Sequence, residues 1–218
     1  MKSSIYLSSA DKLQRYLPFV PYLEGSVLDV GGGTGDLYDL SGNKNVTIFD
    51  INYEELNIAK KKGLKIVKGD ALKLPFNDKS FDTVISVATL EHISKEKRNK
   101  FLDELIRVSK KRILIYTPYG ETGEKYDKKL YDFRKKIGRE DKWTLEHIKN
   151  GLPRIEELKN KFPNAKIKKI QNSQSWYFLM ILQSIPIINK ILPGIAYFIL
   201  KPIHNREPTI GLLLFVGK

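Results

Sequence analysis

The 218-residue chain has no cysteine. That absence excludes disulfides, thiolate metal sites and any chemistry that attacks a substrate ring through a thiol. Negative charge is scarce: Asp and Glu number 25 against 38 Lys and Arg, for a net charge of +13. A basic surface attracts RNA, anionic lipid head groups or phosphorylated substrates. A lysine-rich, thermophile-like composition gives the same excess with no such partner. The basic residues are dispersed, with runs at 60–62, 110–112, 128–129, 134–136 and 166–169, so no single patch stands out. The opening residues, Met1-Lys2-Ser3-Ser4-Ile5, form no apolar signal core, which makes a cytoplasmic location the expectation. An apolar run of the ~20 residues that a bilayer-spanning helix needs is also missing. The greasiest stretch, Trp176–Leu200, is broken by Gln183, Ser184, Pro186, Asn189, Lys190, Pro193 and Gly194. The length suits one α/β domain that buries roughly 70% of its unfolded surface, and two full domains would be cramped.

What the chain does have is Val27-Leu28-Asp29-Val30-Gly31-Gly32-Gly33-Thr34-Gly35. An apolar run ends in an acid and breaks into glycines, which reads as a buried parallel strand entering a tight turn that opens a helix. Glycine serves there because the turn needs unusual dihedrals and a side chain would hold a ligand off the backbone. A dinucleotide fingerprint, G-x-G-x-x-G, would put its third glycine at position 36, where Asp36 stands. The spacing present is Asp-x-Gly-x-Gly-x-Gly, carried by Asp29, Gly31, Gly33 and Gly35.

Downstream the pattern alternates. A helix over 8–17, capped by Ser8 and Asp11, ends at Pro18 and Pro21. Strands are expected at 26–30, 46–50, 64–67, 81–87 and 112–116, with helices at 36–40, 53–62 and 95–108 between them. Gly63 stops the second of these helices. This rhythm implies a parallel sheet covered on both faces. Residues 118–142, polar and rich in Tyr and Lys, read as a loop or lid. Pro153 opens a helix to about Phe162 as its first residue, and the last two strands fall at 165–171 and 209–216.

The glycine turn resembles the first motif of the class I S-adenosylmethionine-dependent methyltransferases, and the likeness extends over roughly Val27 to Pro118. It implies a doubly wound, mostly parallel seven-stranded sheet with an apolar helical insertion before the last strand. The chain divides into a helical cap (1–25), a cofactor-binding core (26–118) and the insertion (172–208), all within one domain of 1–218. The cofactor implied is S-adenosyl-L-methionine. By the resemblance, Asp50, with Ile51 beside it, takes the ribose hydroxyls and Asp70-Ala71 the adenine amino group. Ser86-Val87 lies near the methionine moiety, and Asp29 faces its amino group. Val87-Ala88-Thr89-Leu90-Glu91-His92-Ile93 resembles the segment that follows the fourth strand in the small-molecule branch of the family. Glu104–Val108 matches the helix after it. The Asn/Asp-Pro-Pro-Tyr box of base-amine methylating enzymes is missing, which argues against an exocyclic nucleic-acid amine. The usual Pro-Gly-Gly turn before the fifth strand is replaced by Ser109-Lys110-Lys111-Arg112.

Methyl transfer from a sulfonium is an in-line displacement, so proximity and orientation supply much of the acceleration, up to ~7–11 kcal/mol. A base is needed only where the acceptor loses a proton. His92 is the first candidate, against a structural reading in which it contacts a carboxylate. Tyr116, with Tyr119 and His147 beside Trp143, comes next, and Glu91 is expected to orient His92 or to face the methionine end. No metal-ligand cluster is visible in the spacing. The expected acceptor is a small molecule, glycan or lipid-linked intermediate, and nucleic acid is the less favoured alternative. Trp176–Leu200 is expected to fold as two short helices. They would cap the acceptor pocket, form a homodimer contact or dock peripherally on a membrane.

Overall fold

The computed structural model describes residues 10–185, 195, 199–203 and 205–217. Seven strands form one sheet: β1 (Val27–Val30), β2 (Val46–Asp50), β3 (Lys65–Lys68), β4 (Phe81–Val87), β5 (Ser109–Pro118), β6 (Lys166–Asn172) and β7 (Thr209–Gly217). Their order is β3-β2-β1-β4-β5-β7-β6. Strands β1 to β5 run parallel, while β7 is antiparallel to both β5 and β6. The chain steps outward from β1 to β3, then crosses back to β4 on the other side of β1. That reversal opens a crevice at the carboxyl ends of β1 and β4.

The helices are α1 (Ala10–Tyr16), α2 (Asp36–Ser41), α3 (Tyr53–Lys61), α4 (Arg98–Val108), α5 (Gly120–Lys136), α6 (Lys142–Asn150), α7 (Ile155–Lys161) and α8 (Ser173–Ser184). Successive strand side chains point to opposite faces, and two cores result. Leu28, Val30, Val84 and Ile113 meet Phe101, Leu102 and Leu105 of α4 and Leu158 of α7. Val27, Ile48, Ile85 and Leu114 meet Leu37 of α2, Leu56 and Ala59 of α3, and Tyr16 and Phe19. Each large apolar side chain taken fully out of water stabilises the fold by roughly 1.5–3 kcal/mol. Asn52 caps α3 by accepting from the backbone N–H groups of Glu54 and Glu55 at 3.0 and 3.5 Å.

Two expectations change. Residues 118–142 are largely helical, as α5 and the start of α6. The inward face of α5 runs through Gly123, Asp127 and Leu130, all buried, to Arg134. Its spacing is helical, but two of its members are a glycine and an acid, so the apolar period is faint. Pro153 lies before α7 rather than inside it. Its carbonyl accepts from Gly120 N–H at 3.0 Å, and the extended Arg154 takes the cap position, with Glu157 bonded to its N–H. Of the helix expected over 8–17, Ala10–Tyr16 is seen as α1, and Ser8 lies outside the described residues. In the stretch 176–200 the first half is the last part of α8, which leads toward the final strand, β7. The second expected helix falls mostly on residues 186–194 and 196–198, outside the described residues. Among the described residues no helix is long and apolar enough to cross a membrane.

Candidate active site

A cleft of about 1130 Å³ opens over the carboxyl ends of β1, β2 and β4. Its first wall is backbone. After β1 the chain turns through Gly31, Gly33 and Gly35, all in the left-handed region at φ 76°, 48° and 82°. The turn's donors are occupied: Gly31 N–H reaches the Phe49 carbonyl at 2.8 Å, and Gly33 N–H reaches Asp50 Oδ2 at 3.0 Å. A β-carbon on Gly31 would stand 2.1 Å from Thr89 Oγ1, and one on Gly32 would stand 2.7 Å from the Asp29 carboxyl.

Asp29 lies behind this turn with no solvent exposure, and neither carboxyl oxygen has a hydrogen-bond partner. Burial, reinforced by the charges of Asp36 and Asp50, pushes its pKa up to about 8. A buried polar group left without partners costs free energy, and here the missing partner is a cation or a donor. Asp50 is fixed from both sides, its second oxygen accepting from Asn52 N–H at 2.8 Å. Burial and the neighbouring Asp50 charge also raise the pKa of Glu55. This end of the cleft is therefore acidic, in a chain whose net charge is positive.

Gly31, Gly33, Asp50, Ile51, Asp70, Ala71, Val87, His92 and Tyr116 all line the cleft. Asp70 is exposed and accepts from Leu72 N–H at 2.8 Å, and Ile51 presents a bare face at 70% exposure. Three expected residues do not line the cleft, Asp29 behind the turn being the first. Ser86 is buried and donates to the Val30 carbonyl at 3.0 Å, which ties β4 to β1. Gly35 caps α2 and packs against Leu64. Tyr116 reaches the cleft wall, but its phenol donates to Gln171.

The second wall consists of side chains from α5, α6 and α8, among them Leu130, Arg134, Trp143, Trp176 and Met180. His92, in a 3-10 turn (Leu90–His92), has Nδ1 2.8 Å from Glu146 Oε2. Its ring stands edge-on to Trp143, with centroids 5.1 Å apart. Glu146 thus orients His92, in place of the expected Glu91. Glu91 is buried and accepts from Thr117 Oγ1 at 3.3 Å. His147 Nδ1 lies 2.9 Å from Asp127 Oδ2. Burial works to lower the His147 pKa, but the Asp127 hydrogen bond and the charges of Glu91, Asp127 and Asp141 outweigh it and raise it. Glu146 and Asp127, which hold the two imidazoles, were not singled out in the sequence. A faint signal exists: Trp143, His147 and Asn150 share one helical face by their spacing. No ligand spacing was visible in the sequence, and the fold brings Glu91, His92 and His147 together.

A family model described as a methyltransferase domain matches residues 27–112. A SAM-dependent methyltransferase of Thermotoga maritima superposes with TM-score 0.61 at 20% identity, covering 95% of this chain and 88% of that one. A SAM-dependent methyltransferase of Archaeoglobus fulgidus gives 0.59 at 20% identity, covering 96% and 92%. Residues 27–112 thus match a methyltransferase domain, and the fold as a whole is that of these two structures. Among curated relatives, the chain is 34% identical over 110 residues to the tRNA (carboxymethyluridine(34)-5-O)-methyltransferase of Arabidopsis thaliana, covering 50% of this chain and 27% of that protein. It is 33% identical over 131 residues to the ubiquinone/menaquinone biosynthesis C-methyltransferase UbiE of Rickettsia felis, covering 52% of each. The chain thus spans about half or less of the length of these two relatives. The methyltransferase domain ends before α5, so the second wall of the cleft lies outside the matched residues.

Proposed function

We propose that the protein transfers the methyl group of S-adenosyl-L-methionine to an oxygen of a small-molecule, glycan or lipid-linked acceptor held between α5, α6 and α8. One observation carries the cofactor half of this reading: the fully buried, partnerless carboxylate of Asp29 behind the glycine turn. A ligand bearing an ammonium group supplies the partner that Asp29 lacks. Asp50, already held by two backbone N–H groups, keeps lone pairs for a pair of hydroxyls. The exposed Asp70 is free to take an exocyclic amino group, and the flat, bare side of Ile51 suits an aromatic ring. S-adenosyl-L-methionine, when bound, supplies an electrophilic methyl group on a sulfonium.

The residues of the chain then do three things. The glycines let backbone approach the ligand, the acids of the first wall favour a cationic ligand, and the helices of the second wall exclude water and orient the acceptor. An acceptor hydroxyl has to lose its proton, and His92 and His147, each backed by a carboxylate, face the cleft where it would lie. The aromatic and apolar lining from Trp143, Trp176, Met180 and Leu130 fits an acceptor with a greasy portion. Titration calorimetry tests the cofactor half. S-adenosylmethionine and its demethylated product should both bind and a nicotinamide dinucleotide should not. Folded protein that takes up neither sulfur ligand overturns the reading.

RNA as acceptor is the second reading. It is favoured by the tRNA methyltransferase among the relatives and by Lys12, Arg15, Arg139 and Lys142 around the cleft. A gel-shift affinity that falls steeply with salt would support it.

A further inference from the structure

Glu91 and His92 lie in the turn after β4, and His147 lies on α6, yet the ligating atoms of all three stand within 4.8 Å of one another. Both imidazoles have one nitrogen fixed in the same way, with Nδ1 against a carboxylate: Glu146 at 2.8 Å for His92 and Asp127 at 2.9 Å for His147. A carboxylate on Nδ1 sets the tautomer and leaves Nε2 as a lone-pair donor, which is the outer-shell arrangement that accompanies metal-bound histidine. His147 Nε2 is buried with no hydrogen-bond partner, and Glu91 Oε1 lies 3.9 Å from it. Donors bound at about 2.1 Å around one ion sit roughly 3.0–3.4 Å apart, so that gap needs to close by about half an ångström or a little more, and the three atoms, all within 4.8 Å, need to draw in by up to about 1.5 Å. The surroundings also carry surplus negative charge. Glu91 and Asp127 are 1% and 4% exposed, Glu146 stands against His92, and nearby Asp141 is already matched by Arg134.

We propose that Glu91, His92 and His147 bind one divalent transition-metal cation, with the preference for imidazole nitrogen typical of zinc. Magnesium and calcium, which take oxygen ligands, do not suit two imidazoles. Three protein ligands leave coordination positions open, and all three residues line the cleft. The open positions therefore receive water or the oxygen of the acceptor, and with the cation bound the two imidazoles serve as its ligands rather than as proton acceptors. Only the acceptor assignment rests on the methyltransferase reading; the cation site itself stands on the geometry of the three side chains and their two carboxylates.

The chain has three histidines, which makes the test direct. In the metal-free full-length protein, Zn²⁺ should shift the ring-proton NMR signals of His92 and His147 at one equivalent and leave His204 in place. His204→Gln assigns the third signal. Asp127→Asn removes no ligand and should still weaken Zn²⁺ binding by about 10–100-fold. Glu91→Gln and His147→Gln, checked for folding by circular dichroism, should weaken it at least as much. Calorimetry with S-adenosylhomocysteine, run in parallel, separates the two readings, because Asp50→Ala should lose that ligand and keep Zn²⁺. Wild-type protein whose His92 and His147 signals ignore millimolar Zn²⁺ overturns the site. So does a shift of His204 alone, or folded His147→Gln that binds Zn²⁺ as tightly as wild type.

Discussion

The two walls of the cleft are made of different material. One is backbone: a left-handed glycine turn whose amides are bonded to Phe49 and Asp50, with acids set at the ends of neighbouring strands. The other is side chain: Trp143, Glu146 and His147 on α6, Asp127 and Leu130 on α5, Trp176 and Met180 on α8. A backbone wall tolerates few substitutions, because its shape is the chain's own path. A side-chain wall can be rebuilt residue by residue while the helices stay put. The family-model match, which ends at residue 112 before α5 begins, covers strands of the first wall and none of the helices of the second. The difference in material predicts that changes to the two walls will affect different measurements.

The largest effect is expected at Gly31. Its φ of 76° costs any residue with a β-carbon about 1–2 kcal/mol, and the new carbon would meet Thr89 Oγ1 at 2.1 Å. Gly31→Ala should therefore lower stability by at least that amount and reduce S-adenosylhomocysteine affinity more than 100-fold. Chemical denaturation and calorimetry read the two effects. Binding within tenfold of wild type would mean that the turn does not shape the cofactor wall.

Asp50→Ala comes next. It removes a carboxylate proposed to accept from ligand hydroxyls and should cost roughly 1.5–3 kcal/mol of binding, the range for hydrogen bonds to charged groups. That is on the order of 10–100-fold in Kd. Because Asp50 also accepts from Gly33 N–H, Asp50→Asn separates the two roles. It should keep more of the turn's stability than the alanine variant does, while still losing affinity.

Asp29 sharpens the contrast through pH. Burial holds its folded-state pKa near 8, far above the ordinary carboxylate value. For a raised pKa, the stability associated with the neutral group is fully present below the unfolded pKa of ~3.9. It is lost as pH climbs from there to about 8 and is level above that. Wild-type protein without ligand should thus lose stability relative to Asp29→Asn across that window, by no more than about 1.4 kcal/mol per pH unit. Urea melts at pH 5 and pH 8 measure the gap. Cofactor binding should release a proton near neutrality in wild type and none in the variant, seen as a buffer-dependent binding enthalpy. A gap that does not change with pH would mean that Asp29 is ionised in the free protein.

The same division governs what was legible beforehand. The first wall could be read because its requirements are local: Asp29, Gly31 and Gly33 are close neighbours in the chain, and Asp50 and Asp70 each end an apolar run. Ser86 misled because alternation along a strand gives a residue's side and not its depth; its hydroxyl serves the Val30 carbonyl rather than the cleft. The second wall was hidden for two reasons. The face of α5 that meets the cleft includes Asp127 and Gly123, so its helical period lacks an apolar stripe. The partners of His92 and His147, namely Glu146 and Asp127, lie on helices that only the packing of α5 against α6 and the β4 turn brings near.

The smallest effect on cofactor binding, and the clearest test of the second wall, is expected on α8. Trp176 lines the cleft, whereas Phe178, two residues on, points away and is 52% exposed. Trp176→Ala should leave S-adenosylhomocysteine affinity within about twofold, since no part of the glycine turn or its acids touches it in the proposed reading. It should raise the acceptor KM, because removing the indole strips the pocket of apolar packing worth ~1–3 kcal/mol, the scale for hydrophobic pocket groups. Phe178→Ser should change neither number. Its effect belongs to another measurement, co-sedimentation with anionic vesicles, because exposed apolar side chains such as Phe178, Ile195 and Ile199 are what a peripheral membrane contact would use. If Trp176→Ala weakens the cofactor as much as the acceptor, the two walls are not separable and the acceptor does not sit against α8. If Phe178→Ser reduces vesicle binding while Trp176→Ala raises the KM, one helix serves both purposes, with its inner face on the acceptor and its outer face on the surface from which a lipid-linked acceptor would be drawn.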